Sequence, residues 1–199
     1  MQRRISAILT AAGESTRMGL SKPLLEWDGV PLVRFQIDSL LDAGAHEVVV
    51  VLGHESERVE CHVSGDYVRS VMNADYRHGK TTSVLRGILS ADPDATDLVL
   101  LAVDQPRPSW VVKRLIESHV ENDALITSPR HEGRGGHPLV FSASLRGELE
   151  SITDEGQGVR EVFDVHRGEV NEVMFDDSIV RLDLNTPEEY NAARARYGA

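Results

Sequence analysis

Three nearly continuous apolar runs constrain this chain more than any other feature: ISAILTAA (Ile5–Ala12), EVVVVLG (Glu47–Gly53) and DLVLLAVD (Asp97–Asp104). Continuous rather than alternating hydrophobicity suits a strand covered on both faces, as in a parallel sheet. Between the first two runs, PLVRFQIDSLLDAG sets Leu32, Phe35, Ile37, Leu40 and Leu41 roughly on one helical face, with Pro31 at its start and Gly44 as its stop. Strand, loop, helix and strand make a βαβ unit, and its repetition predicts a doubly wound α/β sheet.

Later segments extend the scheme. Strands are expected at Tyr67–Asn73, Asp123–Arg130, His137–Ser142 and Ser178–Asn185, and helices at Thr81–Ala91, Ser109–Val120 and Thr186–Tyr197. The last helix has Thr186 as its cap and Pro187 at its first position. There is no repeat, linker or low-complexity stretch, and 199 residues suffice for one sizeable core. The expectation is a single domain over residues 1–199, three-layered α/β/α, with a mostly parallel twisted sheet.

Composition narrows the function. A formal net charge of −11 argues against broad binding to nucleic acid or to an anionic membrane, where a basic field is needed. Cys61 is the only cysteine, so neither a disulfide framework nor a cysteine-based zinc site can form. The histidines show no zinc spacing. The start MQRRISAILTAAG has too brief an apolar run for a signal segment or a membrane span, and a cytoplasmic location is expected.

The first loop, TAAGESTRMGLSK (Thr10–Lys22), is poor in groups to bury and rich in groups that handle phosphate. In open parallel sheets, ligands bind beyond the carboxyl ends of the strands, where this loop leaves the first run. Small residues at Ala11, Ala12 and Gly13 let backbone N–H groups approach an anion. Arg17 offers a planar donor fork and Lys22 a mobile ammonium. The spacing matches neither a P-loop nor the dinucleotide G-x-G-x-x-G fingerprint. From spacing alone, a phosphate site and a surface loop with two scattered cations are equally good readings.

Seven blocks in one order separate them. LTAAGESTRMGLSKPLLEWDGVPLV, VVVLGHESERV, NADYRHGKTTSVLRGI, LLAVDQP, EGRGGHPLVFS, EGQGVREVF and LDLNTPEEY resemble the motifs of the MobA-like nucleotidyltransferases. Within that family they are most similar to the molybdenum cofactor cytidylyltransferases. The resemblance implies a Rossmann-like fold of the nucleotide-diphospho-sugar transferase type and nucleotidyl transfer. CMP would pass from CTP to a phosphorylated pterin, with release of pyrophosphate. A molybdenum hydroxylase is an implied recipient of the product.

The resemblance also implies roles. Arg17, Lys22 and Asp104 form the catalytic set, with Arg17 and Lys22 on the β- and γ-phosphates. Asp104 is implied to hold Mg2+, with a second oxygen ligand from Asp183 or Asn185; the cytidylyl pattern more often has Asp where this chain has Asn185. As a strand, the late segment would point Asp183 and Asn185 to one face. For Asp104 by itself, a helix cap is the competing reading. The nucleotide set is Thr10, Ala11, Ala12, Gly13, Arg17, Lys22, Asn73, Gly79 and Ser83. The guanylyl branch has L-A-G-G where this chain has T-A-A-G, so the Ala12 methyl would lie at the base edge and favour a pyrimidine. Asn73, Gly79 and Ser83 can equally be a loop and a helix cap. His137 and Arg160 would contact the acceptor, or be a structural histidine in a tight turn and a solvated helix charge. Trp27 and Trp110 read as packing groups.

Two other classes stay open. One is the same chemistry on GTP or on a different phosphorylated acceptor. The other is a non-catalytic module that binds a nucleotide or cofactor and delivers it. The missing dinucleotide glycines disfavour a nicotinamide oxidoreductase.

Overall fold

A computed structural model describes residues 3–198; Met1, Gln2 and Ala199, the outermost residues of the expected 1–199 domain, lie outside the described residues. Seven strands form the central sheet: β1 (Ile5–Ala11), β2 (Glu47–Leu52), β3 (Val68–Met72), β4 (Asp97–Ala102), β5 (Ile126–His131), β6 (Leu139–Ser142) and β7 (Val170–Met174). Their order is β7-β5-β6-β4-β1-β2-β3, and the two-residue strand Arg134–Gly135 adds to β5. Every pairing along this path is parallel except those made by β6, which runs antiparallel to both β4 and β5.

Helices cover both faces: α1 (Leu32–Asp42), α2 (Ser56–Glu60), α3 (Lys80–Ser90), α4 (Ser109–Glu121), α5 (Arg146–Leu149), α6 (Val159–Val165) and α7 (Pro187–Tyr197). Ile5, Ala7, Leu9 and Ala11 of β1 join a core with side chains of α1, α4 and α7, whereas Ile8 joins a second core with α3, α5 and α6. Successive residues of one strand thus feed opposite cores, which is why β1 reads as an unbroken apolar run. Burying one such aliphatic side chain stabilises the fold by about 1.5–3 kcal/mol. No helix among the described residues is long and apolar enough to cross a membrane.

Local signals explain the ends of several elements. Gly44 has φ 102°, its N–H donates to the Leu41 carbonyl, and the Ala45 N–H reaches back to that of Leu40. This pair of bonds is the Schellman stop of α1. At α7, Thr186 and Glu189 form a reciprocal capping box behind Pro187. Asp28 and Gly29 both have positive φ and turn a two-residue hairpin between Glu26–Trp27 and Val30–Pro31. Trp27 is buried beside Phe35, as a packing group should be, whereas Trp110 stands half in solvent next to Phe175.

The expected strand at Ser178–Asn185 is a correction. Residues Ser178–Arg181 form a single 3-10 turn, capped by the Asp177 side chain on the Ile179 N–H, and the chain then runs on unpaired. Its carbonyls are taken by side chains and loops instead of by a ladder: Val180 accepts from the His137 N–H and from Arg107, and Leu182 accepts from Arg107. The strand at this edge is β7, which has a single neighbour and carries Asn171 and Glu172 between its apolar residues.

Helix α3 approaches β1 so closely that a Cβ on Gly87 would sit 2.3 Å from the Ile8 Cγ2 methyl. Replacing a mid-helix glycine by alanine ordinarily gains up to about 1 kcal/mol. Overpacking a fully buried, β-branched neighbour costs about 1–3 kcal/mol. Gly87→Ala is therefore expected to destabilise the protein by about 1 kcal/mol net, read as a lower urea midpoint at unchanged m. A raised midpoint would show that Ile8 yields.

Candidate active site

The register of three parallel strands builds the site. Thr10 lies opposite Val51 of β2 and Ala102 of β4. Just beyond, the Val103 N–H donates to the Thr10 carbonyl at 2.9 Å and the His54 N–H to the Ala12 carbonyl at 3.0 Å. The loops that begin at Gly13, Gly53 and Asp104 therefore leave the same edge of the sheet. A Cβ placed on Gly13 would meet nothing within 4 Å, so the ground in front of this turn is open.

The first loop is folded from within. Ser15, at φ 54°, accepts from the N–H groups of Met18 and Gly19, while its hydroxyl accepts from the Lys22 N–H. Met18 is buried in the core and pins the loop down. Lys22 then opens a 3-10 turn into the hairpin anchored by Trp27. Held at both ends, its ammonium reaches Asp104 Oδ2 at 2.7 Å and Asn185 Oδ1 at 3.1 Å. Arg17 donates to the same Asn185 oxygen at 3.2 Å. Four residues from three distant stretches thus meet in one cluster.

Asp183 goes elsewhere: its Oδ1 accepts from Gln105 Nε2 at 2.9 Å. With no strand over 178–185, it does not share a partner with Asn185. Asp104 does not cap α4, which starts on Pro108 without a side-chain cap. The Asp104 and Asn185 oxygens instead converge on one cation, the Lys22 ammonium. That donor pair, all oxygen, fits a hard divalent ion that keeps water and phosphate in its other positions. No group of three or more His, Cys, Asp or Glu among the described residues suits a metal held by protein alone.

Beside the cluster lies a cleft of about 610 Å³, lined among others by Thr10, Lys80, Gln105, His137, Phe163 and Arg160. It brings His137 and Arg160, expected on the acceptor side, into one space with Thr10 of the expected nucleotide set. Arg160 is exposed on α6 and pairs with Asp164 at 3.5 Å. Burial, and after it the Arg107 charge, holds His137 below its ordinary value of 6.5, so the ring is neutral at pH 7.

Three nucleotide-side residues are engaged inside the fold. Asn73 is 4% exposed, and its amide donates to the hydroxyls of Thr82 and Ser83, both at 2.9 Å, while its oxygen accepts from the Asp75 N–H. Ser83 is buried with it. Gly79, at φ 114°, leaves room for the Asp154 carboxylate, which would overlap any Cβ there and which accepts from the Thr81 hydroxyl. These contacts match the loop-and-cap reading of Asn73, Gly79 and Ser83. Ala12 is also buried, and its methyl faces Gly53, where an added Cβ would come within 2.8 Å of it. Any effect of Ala12 on base choice therefore passes through the Gly53 turn.

Sequence reasoning missed Lys80, Asp154, Gln36 and Arg107. Lys80 and Asp154 carry no local signal beyond their neighbouring glycines. Gln36 sits on the apolar face of α1, and a polar residue at a core position was its one clue.

Comparison with known proteins bears on the family and the fold. The family model for the MobA-like NTP transferase domain matches residues 7–170. A protein of Paenarthrobacter nicotinovorans named nicotine blue oxidoreductase is 36% identical over 164 residues, 78% of this chain and 79% of its own. The molybdenum cofactor cytidylyltransferase of Escherichia coli K12 is 25% identical over 201 residues, 97% of each chain. The crystal structure of Rv0371c from Mycobacterium tuberculosis H37Rv in complex with manganese superposes with a TM-score of 0.79 at 26% identity, covering 96% of this chain and 98% of its own. The fold is that of the nucleotide-diphospho-sugar transferases.

The neutral His137 generates a pH prediction. As pH falls through 6.5, the unfolded chain takes up this proton before the folded one does, so stability is lost below 6.5 and is level above it. His137→Asn is expected to lose less stability than the parent protein between pH 7 and pH 5, measured by urea unfolding at each pH. Equal losses would show that His137 does not titrate in that window.

Proposed function

This chain belongs to the MobA-like NTP transferase family, and from that premise we propose that it transfers CMP from CTP to a phosphorylated pterin, the molybdopterin form of molybdenum cofactor. The membership makes it a nucleotidyltransferase; the base and the acceptor are our reading. The observation that carries this reading is the cluster of Arg17, Lys22, Asp104 and Asn185 at the open end of the parallel sheet, beside a cleft large enough for an acceptor. Full-length similarity to the E. coli cytidylyltransferase supports cytidylyl over guanylyl transfer. A pure delivery module would have no need of the metal-binding carboxylate.

An acceptor phosphate is ionised at neutral pH and needs no general base. Its oxygen attacks the α-phosphorus in line, the bond to the β-phosphate breaks, and pyrophosphate leaves. The chain's own work is placement and charge balance. Gly13 admits the triphosphate close to the backbone, and Arg17 and Lys22 take the charge that builds on the leaving group. His137 and Arg160 orient the acceptor from the cleft, and Thr10 faces the nucleotide. Asp104 and Asn185 would hold the divalent cation, magnesium in our reading, which when bound supplies Lewis-acid neutralisation of the phosphate oxygens. A molybdenum hydroxylase is the proposed recipient of the product.

A second reading, a redox reaction, rests on the 36% identity to the protein named nicotine blue oxidoreductase. Both are tested on one preparation. Pyrophosphate release is measured with CTP, GTP, ATP and UTP, with and without Mg2+, in the presence of molybdenum cofactor. Preferred turnover with CTP and Mg2+ is expected, with a loss of at least about 100-fold in Asp104→Ala. Preference for GTP would move the chain to the guanylyl branch. No release with any nucleotide, together with oxidation of a reduced nicotinamide, would favour the redox reading.

The cluster also sets an order of events. The Lys22 ammonium bonds to both the Asp104 and the Asn185 oxygens, so it would compete with a divalent cation for them until phosphate draws it away. Lys22→Met is therefore expected to bind Mn2+ more tightly than the parent protein in the absence of nucleotide, by titration calorimetry, while losing activity. Weaker Mn2+ binding in that variant would contradict this competition.

A further inference from the structure

Arg107 directly follows the Asp-Gln-Pro turn and is fully buried, yet no carboxylate pairs with it among the described residues. Its guanidinium donates to four main-chain carbonyls. Nε reaches His137 at 2.8 Å; one terminal nitrogen serves Pro106 at 2.9 Å and Leu182 at 3.0 Å; the other serves Val180 at 2.9 Å. Taking such a charge out of water costs several kcal/mol. Neutral carbonyls recover only part of that cost. What the arrangement achieves is order, because a planar fork with five fixed donors can tie several strands of backbone at once.

The tied stretches are those that carry the site. Pro106 belongs to the turn that bears Asp104, His137 lines the cleft, and Val180 and Leu182 lead into Asp183 and Asn185. The last stretch has no strand partner; besides Arg107 it is held by the His137 N–H on the Val180 carbonyl and by the Leu184 N–H on the Asp104 carbonyl, both at 2.8 Å, and by Gln105 on Asp183. Helix α1 holds the turn from the other side. Gln36 accepts from the Arg107 N–H at 3.0 Å and donates to the Gln105 carbonyl at 2.6 Å, and the Ser39 hydroxyl donates to the Arg107 carbonyl.

We propose that Arg107 is a positioning residue that sets the spacing of Asp104 and Asn185, and thereby the affinity of the site for its divalent cation. This rests on the metal site put forward above. Burial lowers the Arg107 pKa to about 10, and Asp183 and Asp104 oppose that shift, so the group stays charged at neutral pH. Its charge by itself repels a cation. Charge removal alone would therefore strengthen metal binding, whereas loss of spacing weakens it.

Arg107→Lys keeps the charge and loses the fork, so it isolates the spacing. Mn2+ binding is measured by the free-ion EPR signal in the parent protein, in Arg107→Lys and in Gly87→Ala. The last is a destabilised control whose clash is with Ile8 and Val51 and with none of the four cluster residues. Arg107→Lys is expected to weaken Mn2+ binding about 10-fold or more, with Gly87→Ala close to the parent. Parent-like affinity in a folded Arg107→Lys protein overturns the proposal and leaves the metal site standing. Weakening of the same size in Gly87→Ala overturns it as well, because stability alone would then explain the loss. No binding by the parent protein overturns both the metal site and this proposal. Should Arg107→Lys not fold, Ser39→Ala loosens the same turn more gently. A loss on the order of threefold supports the proposal there, and unchanged binding overturns it.

Discussion

A strand covered on both faces for most of its length can offer a ligand little except at its end, and β1 is such a strand, with only the half-buried Thr10 near that end short of full burial. Its side chains are divided between two cores, one under α1, α4 and α7 and the other under α3, α5 and α6. Its chemistry must therefore come at its end. Parallel pairing with β2 and β4 in register makes that end a shared one, so that the turns at Gly13, Gly53 and Asp104 face a single space. The first loop, the Asp104 carboxylate and the cleft beside them all follow from this one edge.

The cluster at that edge balances itself. Lys22 neutralises Asp104, and both cations of the first loop share the Asn185 oxygen. In a chain of net charge −11, this keeps a small basic site usable within a repulsive overall field. The exposed ion pairs scattered over the rest of the surface contribute little to stability. What secures the site is buried and polar: Gln36, Ser39 and Arg107 fasten the turn that bears Asp104 to helix α1 and to the segment that bears Asn185.

The reading of the sequence reached far where local patterns carry the physics. The three apolar runs, the helix face of α1 with its glycine stop, and the Thr-Pro cap of α7 all stand in the structure where their residues placed them. It failed over Ser178–Asn185, where an apolar, strand-like pattern serves a turn whose carbonyls go to Arg107 and His137. It passed over β7, whose short apolar pattern is interrupted by Asn171 and Glu172. Asn73 lies in the loop before α3 and Ser83 within that helix, and they bond to each other inside the fold, a choice that spacing cannot express.

By itself, then, the order of residues determined a mostly parallel α/β sheet and a first loop poor in groups to bury, because hydrophobic periodicity and turn chemistry act over a few residues at a time. Only the tertiary structure decided which of Asp183 and Asn185 joins Lys22 and Asp104, that Ala12 turns its methyl to Gly53, and that Arg107 ties three backbone segments together. Those are contacts between residues tens of positions apart. Their geometry is set by how the layers pack, and no short stretch of sequence contains it.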